Sequence, residues 1–191
     1  MKRLFFLIAI LYGGSVLSQP KKPQIRIIPE AGVVNGDKSV SAIQSISVLG
    51  YKNKWAFGIG GGLDYYKIRT VPVFAAARYA FGKKENPFFG YANIGYNIAA
   101  PLGNQYLHPV SWWTNSSSFS NGLFTDAGIG YMLPSRNNRG LEFSVGYSIK
   151  TLRERYTEYI WRDFPPYVSE PFEHSFSYEF NRFVFKIGYR L

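Results

Sequence analysis

The chain has 191 residues and no cysteine, and its 22 Lys and Arg outnumber 12 Asp and Glu to give a net charge of +10. One domain is the expectation at this length, and the lack of thiols excludes disulfides, Cys-ligated metal sites and a lipid-anchored cysteine. Aromatics make up 18% of the residues, a balance that with the frequent Gly suits strands and tight turns better than helices.

The chain opens with Met1-Lys2-Arg3, an apolar run from Leu4 to Tyr12 and a small-residue end, Gly13 to Ser18. This order predicts an export signal, residues 1–18, cleaved between Ser18 and Gln19. The run is shorter than the ~20 apolar residues that span a bilayer. Cleavage removes Lys2 and Arg3 and takes the net charge from +10 to about +8. Residues 19–23, Gln-Pro-Lys-Lys-Pro, read as a short flexible leader, and 24–191 as the mature domain. No later segment approaches ~18 uninterrupted apolar residues, so no transmembrane helix is expected. An exported basic chain meets anionic lipid head groups first. Without a basic helix, or a basic tract interleaved with aromatics, nucleic acid is not an expected partner.

Eight strand-like segments follow, at about 24–34, 39–51, 55–66, 70–82, 87–100, 122–133, 140–152 and 177–190. The clearest runs from Leu141 to Lys150. Leu141, Phe143, Val145, Tyr147 and Ile149 line one face there, and Glu142, Ser144, Gly146, Ser148 and Lys150 line the other. The connections alternate between two ends. Asn35 to Lys38, Lys67 to Arg69, 101–121 and 153–176 share one end, while Lys52 to Lys54, Lys83 to Asn86 and Pro134 to Arg139 share the other. Both long excursions thus fall on one side, as in transmembrane barrels with short periplasmic turns and longer extracellular loops.

Alternation alone also fits a soluble barrel with its apolar face inward. The opposite face decides between them. It reads Ala56, Gly58, Gly60, Gly62, Asp64 in the third segment and Phe124, Asp126, Gly128, Gly130 in the sixth. A wet exterior carries long Lys and Glu chains. Small residues with a few charges suit the lumen of an eight-stranded barrel, which has room for little besides its own side chains. The bulky face includes Phe57, Ile59, Leu63, Val71, Val73, Ile94, Tyr96 and Ile98, and its near-turn positions are aromatic: Trp55, Tyr79, Phe81, Phe88, Tyr131 and Tyr189. That is an interfacial girdle, so the bulky face points to lipid.

Three stretches carry a family resemblance, Val71 to Phe81, Phe88 to Asn97 and Phe183 to Leu191. Through them the chain, from about 24 to 191, resembles the small single-domain outer-membrane β-barrel proteins of the OmpX and OmpA-transmembrane-domain type. The resemblance implies an all-β, eight-stranded antiparallel up-and-down barrel in the outer membrane of a Gram-negative-type bacterium. It also implies recognition by the barrel-insertion machinery through Phe183, Phe185, Ile187, Tyr189 and Leu191. The family usually ends in an aromatic, and here the last residue is Leu191.

The predicted inward charges are Arg26, Glu30, Asp64, Arg78, Asp126, Glu142, Lys150, Arg182, Lys186 and Arg190. Isolated charges in a narrow core are costly, so a plug of mutual pairs is expected over an open pore or a proton path. Arg78 is matched with Glu142 or Asp126. The two histidines, His108 and His174, fall in the predicted external loops. Lipid A-editing barrels use a His with a Ser and an acid at the outer rim, and His174 lies between Glu173 and Ser175. Adjacent residues of an extended chain point to opposite sides, so this tripeptide is no triad by itself. Two histidines in separate loops do not make a metal site either. No catalytic, cofactor-binding or metal-binding residue is expected.

Loop 101–121 carries Tyr106, Trp112, Trp113 and Phe119 without a single charged residue, a composition for contact with sugar, lipopolysaccharide or protein, or for folding over the barrel mouth. Loop 153–176 is rich in mixed charges, and Leu152 to Tyr159 is expected to continue the strands as a ribbon above the membrane. Lys21, Lys22, Lys52, Lys54, Lys83, Lys84, Arg136 and Arg139 form a basic collar at the opposite end, placed to meet phospholipid head groups. The resulting expectation is a non-enzymatic outer-membrane barrel serving envelope integrity or surface interaction through the two long loops. A lipid A-modifying hydrolase or acyltransferase is the alternative, and a narrow pore the third class.

Overall fold

A computed structural model of the chain describes residues 24–81, 87–102, 107, 114–133, 139–161 and 169–191. The expected signal segment and leader, with the expected cleavage site, lie outside the described residues. Nine strands are present: β1 (Gln24–Gly36), β2 (Ser39–Lys52), β3 (Trp55–Asp64), β4 (Thr70–Ala80), β5 (Phe88–Ala99), β6 (Thr114–Ser120), β7 (Gly122–Met132), β8 (Gly140–Trp161) and β9 (Ser169–Arg190). All pairings are antiparallel. β1 pairs β2 and β9, and the order continues through β3, β4, β5, β7 and β8 back to β9. The sheet is therefore an eight-stranded up-and-down barrel without an edge in its wall. β6 stands outside the ring and pairs only the upper part of β8, from Arg153 to Glu158.

We call the end carrying Gln24 and Leu191 the lower rim. The turns after β2, β4 and β7 lie there, and the connections after β1, β3, β5 and β8 lie at the upper rim. The β1–β2 hairpin is closed by Asp37 and Lys38, both at positive φ (39° and 58°). Two such central residues match the right-handed twist of the flanking strands.

Several expected boundaries are corrected. The third segment stops at Asp64 rather than 66, so Tyr65 and Tyr66 belong to the loop before β4. The stretch 114–120, expected as loop, is β6. The seventh and eighth segments run on from 152 to Trp161 and start at Ser169 instead of 177, each 22 residues long. Much of loop 153–176 is thus paired strand, from Arg153↔Ser177 to Trp161↔Ser169; the ribbon expected from Leu152 to Tyr159 is observed and runs two residues further on β8. The other wall strands have 10 to 14 residues, close to the roughly 9–11 that a tilted strand needs to cross a bilayer.

The facing expected from alternation is observed. Ile25, Ile59 and Tyr96 are each 71% exposed on the outer face, together with Phe57, Val73, Ile94, Ile129, Phe183 and Ile187. At the lower rim Trp55 stacks on Phe57 and tilts against Tyr79, Tyr79 meets Phe81, and Phe88 meets Tyr131. Rings gathered at one level of an apolar wall are an interfacial girdle.

Lumen glycines serve as seats for lumen rings. A Cβ at Gly130 would meet the Phe89 ring, one at Gly60 the Phe74 ring, and one at Gly146 the Tyr91 hydroxyl and the backbone of Ala127. Phe74 in turn packs on Phe124 with centroids 5.6 Å apart. Gly146→Val should therefore expel Tyr91 and strain the β7–β8 pairing. Overpacking of this kind costs about 1–3 kcal/mol or more. Urea unfolding in lipid vesicles reads the effect, and a midpoint equal to wild type would refute the seat.

Candidate functional site

Among the described residues there are two candidate sites, the charged lumen and the structure above the upper rim.

The lower lumen is organised by Arg78 on β4. Its guanidinium donates to Glu30 of β1 at 2.7 Å and to Glu142 of β8, and its Cζ lies 5.1 Å from the Phe89 ring centroid. Ser45 donates to Glu30 at 3.1 Å, and Arg190 closes the group from below against Glu142 and over the Tyr51 ring. Of the two partners expected for Arg78, the structure places Glu142 against it. Asp126 belongs to a middle group, where it accepts from Lys186 at 2.7 Å, Tyr91 at 3.0 Å and Asn93 at 3.3 Å. Lys186 also reaches Glu30, at 3.8 Å, and so links the two groups.

Asp64, fully buried, centres an upper group. Arg182 bonds it directly, Lys150 lies 3.7 Å away, and the Tyr66 backbone N–H donates to it at 2.8 Å. Lys150 also donates to the carbonyls of Tyr66 and Ile68, at 2.9 and 3.0 Å. The connection 65–69 is thereby drawn into the barrel mouth. Tyr66 and Ile68 are buried there with Val34, Ile43, Leu152, Phe180 and Val184. Arg182 lies over the Tyr66 ring at 5.2 Å and donates to Ser148 at 2.9 Å. Each of the lumen carboxylates Glu30, Asp64, Asp126 and Glu142 thus touches at least one cation. Arg26 lies at the lower mouth, half-buried, bonded to Gln24 at 3.3 Å.

Sequence reasoning missed the roles of Tyr66 and Ile68. Tyr91 and Asn93 were within reach, because they share parity with inward Phe89 on β5. Nothing in the sequence indicates that a five-residue connection dives inward rather than projecting.

Above Ile149 and Phe183 the two faces of β8 and β9 exchange character. The outward positions become Thr151, Arg153, Arg155 and Thr157 on β8, and Asn181, Glu179, Ser177, Ser175 and Glu173 on β9. The inward face becomes aromatic. Phe180, Tyr178, Phe176, His174 and Phe172 run up β9, with Tyr156 of β8 stacked on His174 at 4.8 Å and on Phe176 at 5.9 Å. Tyr66 joins the base of this ladder through Phe180, 5.7 Å away. Tyr178 donates to the buried Glu154 at 3.1 Å, and Phe119 of β6 packs against the cluster at the ladder's base. Phe172 and Phe176 remain exposed.

His174 lies in this ladder with Nε2 3.3 Å from the Glu158 carboxylate. Its sequence neighbours Glu173 and Ser175 sit on the other face, so Glu173-His174-Ser175 is not a triad, as chain geometry required. His108, Tyr106, Trp112 and Trp113 lie outside the described residues. No group of three or more potential metal ligands occurs among the described residues.

No family model matches the chain. No curated protein matches it either. Among solved structures, the crystal structure of the outer membrane protein OprG from Pseudomonas aeruginosa is similar, with 14% sequence identity and a TM-score of 0.49. The match covers 91% of this chain and 98% of that one.

Proposed function

We propose that this chain is a non-enzymatic outer-membrane barrel with a closed lumen, which anchors the β6–β8–β9 ribbon as an element for surface interaction. The observation that carries this is the exchange of faces above Ile149 and Phe183. The wall below has a lipid-facing exterior and a charged, paired interior, whereas the ribbon above has one solvated face and one face of aligned rings. Exposed aromatic surface rimmed by polar groups is a usual mark of an interaction site.

Cells carrying the chain should attach to immobilised lipopolysaccharide, to matrix protein or to one another several-fold better than cells carrying the Phe172→Ser, Phe176→Ser variant at equal surface amount. Equal attachment on every surface would sink the reading. The paired lumen supports a second expectation, that purified barrel gives no single-channel conductance in planar bilayers. Steady open events would argue for a pore.

The lipid A-modifying alternative rests on His174 and Glu158, a base beside an acid at a height above the apolar wall. Mass spectra of lipid A from cells with and without the chain should be identical. A changed acyl pattern that reverts with His174→Ala would make the chain an enzyme instead.

A further inference from the structure

Among the described residues, the exposed charge at the lower rim is of one sign; Lys83, Lys84, Glu85 and Arg136 of that end lie outside them. Around the rim, the register brings five cations onto a single arc. Arg139 immediately precedes β8, whose first residue Gly140 pairs Arg190 of β9. The backbone N–H of Leu191 donates to Ile27 at 3.0 Å, placing the end of β9 beside Arg26 of β1. β1 in turn pairs Tyr51 of β2 through Gln24, and β2 ends at Lys52, followed by the turn that contains Lys54. Lys52, Lys54 and Arg139 are exposed, and Arg26 is half-buried. Arg190 is held inward by Glu142, which is buried and also bound to Arg78. Among the described residues no exposed Asp or Glu side chain shares this arc. The solvated face above the upper rim differs, because Glu173 and Glu179 lie on the same face as Arg153 and Arg155, which pair Ser177 and Ser175.

Directly above the arc stand Trp55, Tyr79 and Tyr189 of the girdle. Amphipathic rings settle at the level of lipid head groups. The cations therefore lie at or just beyond the phosphate plane of the adjoining leaflet, where each basic side chain is attracted to an anionic surface. A mixed-charge rim would recruit no particular lipid. An arc of one sign would.

We propose that the lower-rim arc of Arg26, Lys52, Lys54 and Arg139 binds the phosphates of anionic phospholipids in the leaflet it touches, and holds a shell of such lipids around that side of the barrel. This rests on the barrel being membrane-spanning but not on any role of the ribbon.

The test uses full-length mature chain folded into vesicles of equal phosphatidylcholine and phosphatidylglycerol, then released for native mass spectrometry of retained lipids. Phosphatidylglycerol should exceed phosphatidylcholine several-fold on the wild-type barrel. Lys52→Gln, Lys54→Gln, Arg139→Gln together should bring the ratio near one, whereas Arg153→Gln, Arg155→Gln above the upper rim should leave it unchanged. A gel mobility shift between unboiled and boiled samples confirms that each variant has folded. Equal retention of both lipids by wild type would overturn the proposal, as would equal losses from the two variants, which would reduce the effect to net charge. Soluble glycerophosphoglycerol in excess should not displace the lipid. If it does, the arc is a general phosphate site, and the lipid assignment fails.

Discussion

Asp64→Ala should destabilise the barrel by about 3–5 kcal/mol, the usual cost of stranding buried charge by removing its partner. The carboxylate bonds Arg182, neighbours Lys150 and accepts the Tyr66 backbone N–H, and all three groups are shielded from water. Its removal leaves two cations facing each other in the upper lumen and frees the connection 65–69. Equilibrium unfolding in lipid vesicles by urea, followed by Trp fluorescence and by gel mobility, measures the loss. Asp64→Asn separates the contributions, since an amide oxygen still accepts from Tyr66 while the charge is gone. Asn should recover a minor part of the loss. If Asn behaves as wild type, the ion pairs contribute little and the hub is a turn-capping device.

Arg78→Leu is the second large effect, at about 3 kcal/mol by the same reasoning. It is smaller because each stranded carboxylate keeps a neighbour. Glu30 retains Ser45 and Lys186, and Glu142 retains Arg190. Replacing the three central members together, Glu30→Gln, Arg78→Leu, Glu142→Gln, should regain part of the loss, because a buried ion cluster is often exchanged for neutral residues at little cost, while Arg190 gives up its ionic partner Glu142. The same unfolding experiment decides it. A triple variant less stable than Arg78→Leu would mean that the carboxylates do more than balance the arginine.

Much of the wall was legible because alternation with period two assigns every residue of a strand to lipid or lumen. Leu141 to Lys150 places five outward and five inward residues in this way, and the structure agrees. Register was not legible, since Arg78 meets Glu142 only once β4 and β8 have been set around the ring. Tyr66 escaped for a different reason. Tyr65 and Tyr66 prolong the apolar run of β3, and the bonds of Tyr66 to Asp64 and Lys150 hold the chain turned inward. β6 escaped because Thr114 to Ser120 is rich in Asn and Ser, and its extended form is supplied by pairing to β8. The ribbon was partly visible, since mixed charges mark a solvated stretch. Its aromatic face was not, because the rings of Tyr156 and His174 come together only when β8 and β9 pair.

The exchange of faces at Ile149 and Phe183 also acts as a depth stop. Lowering the barrel by two residues, about 7 Å along a strand, would draw Thr151, Arg153, Glu179 and Asn181 toward hydrocarbon. A basic side chain costs at most ~1 kcal/mol near the interface but about 2–4 kcal/mol at the midplane, so resistance steepens with each step. Raising it would lift the lower rings out of the head-group layer and pull Lys52 and Lys54 after them. On the proposed membrane-spanning reading the molecule is thus latched vertically from both ends, and the height at which the ribbon stands above the bilayer is set by its own sequence.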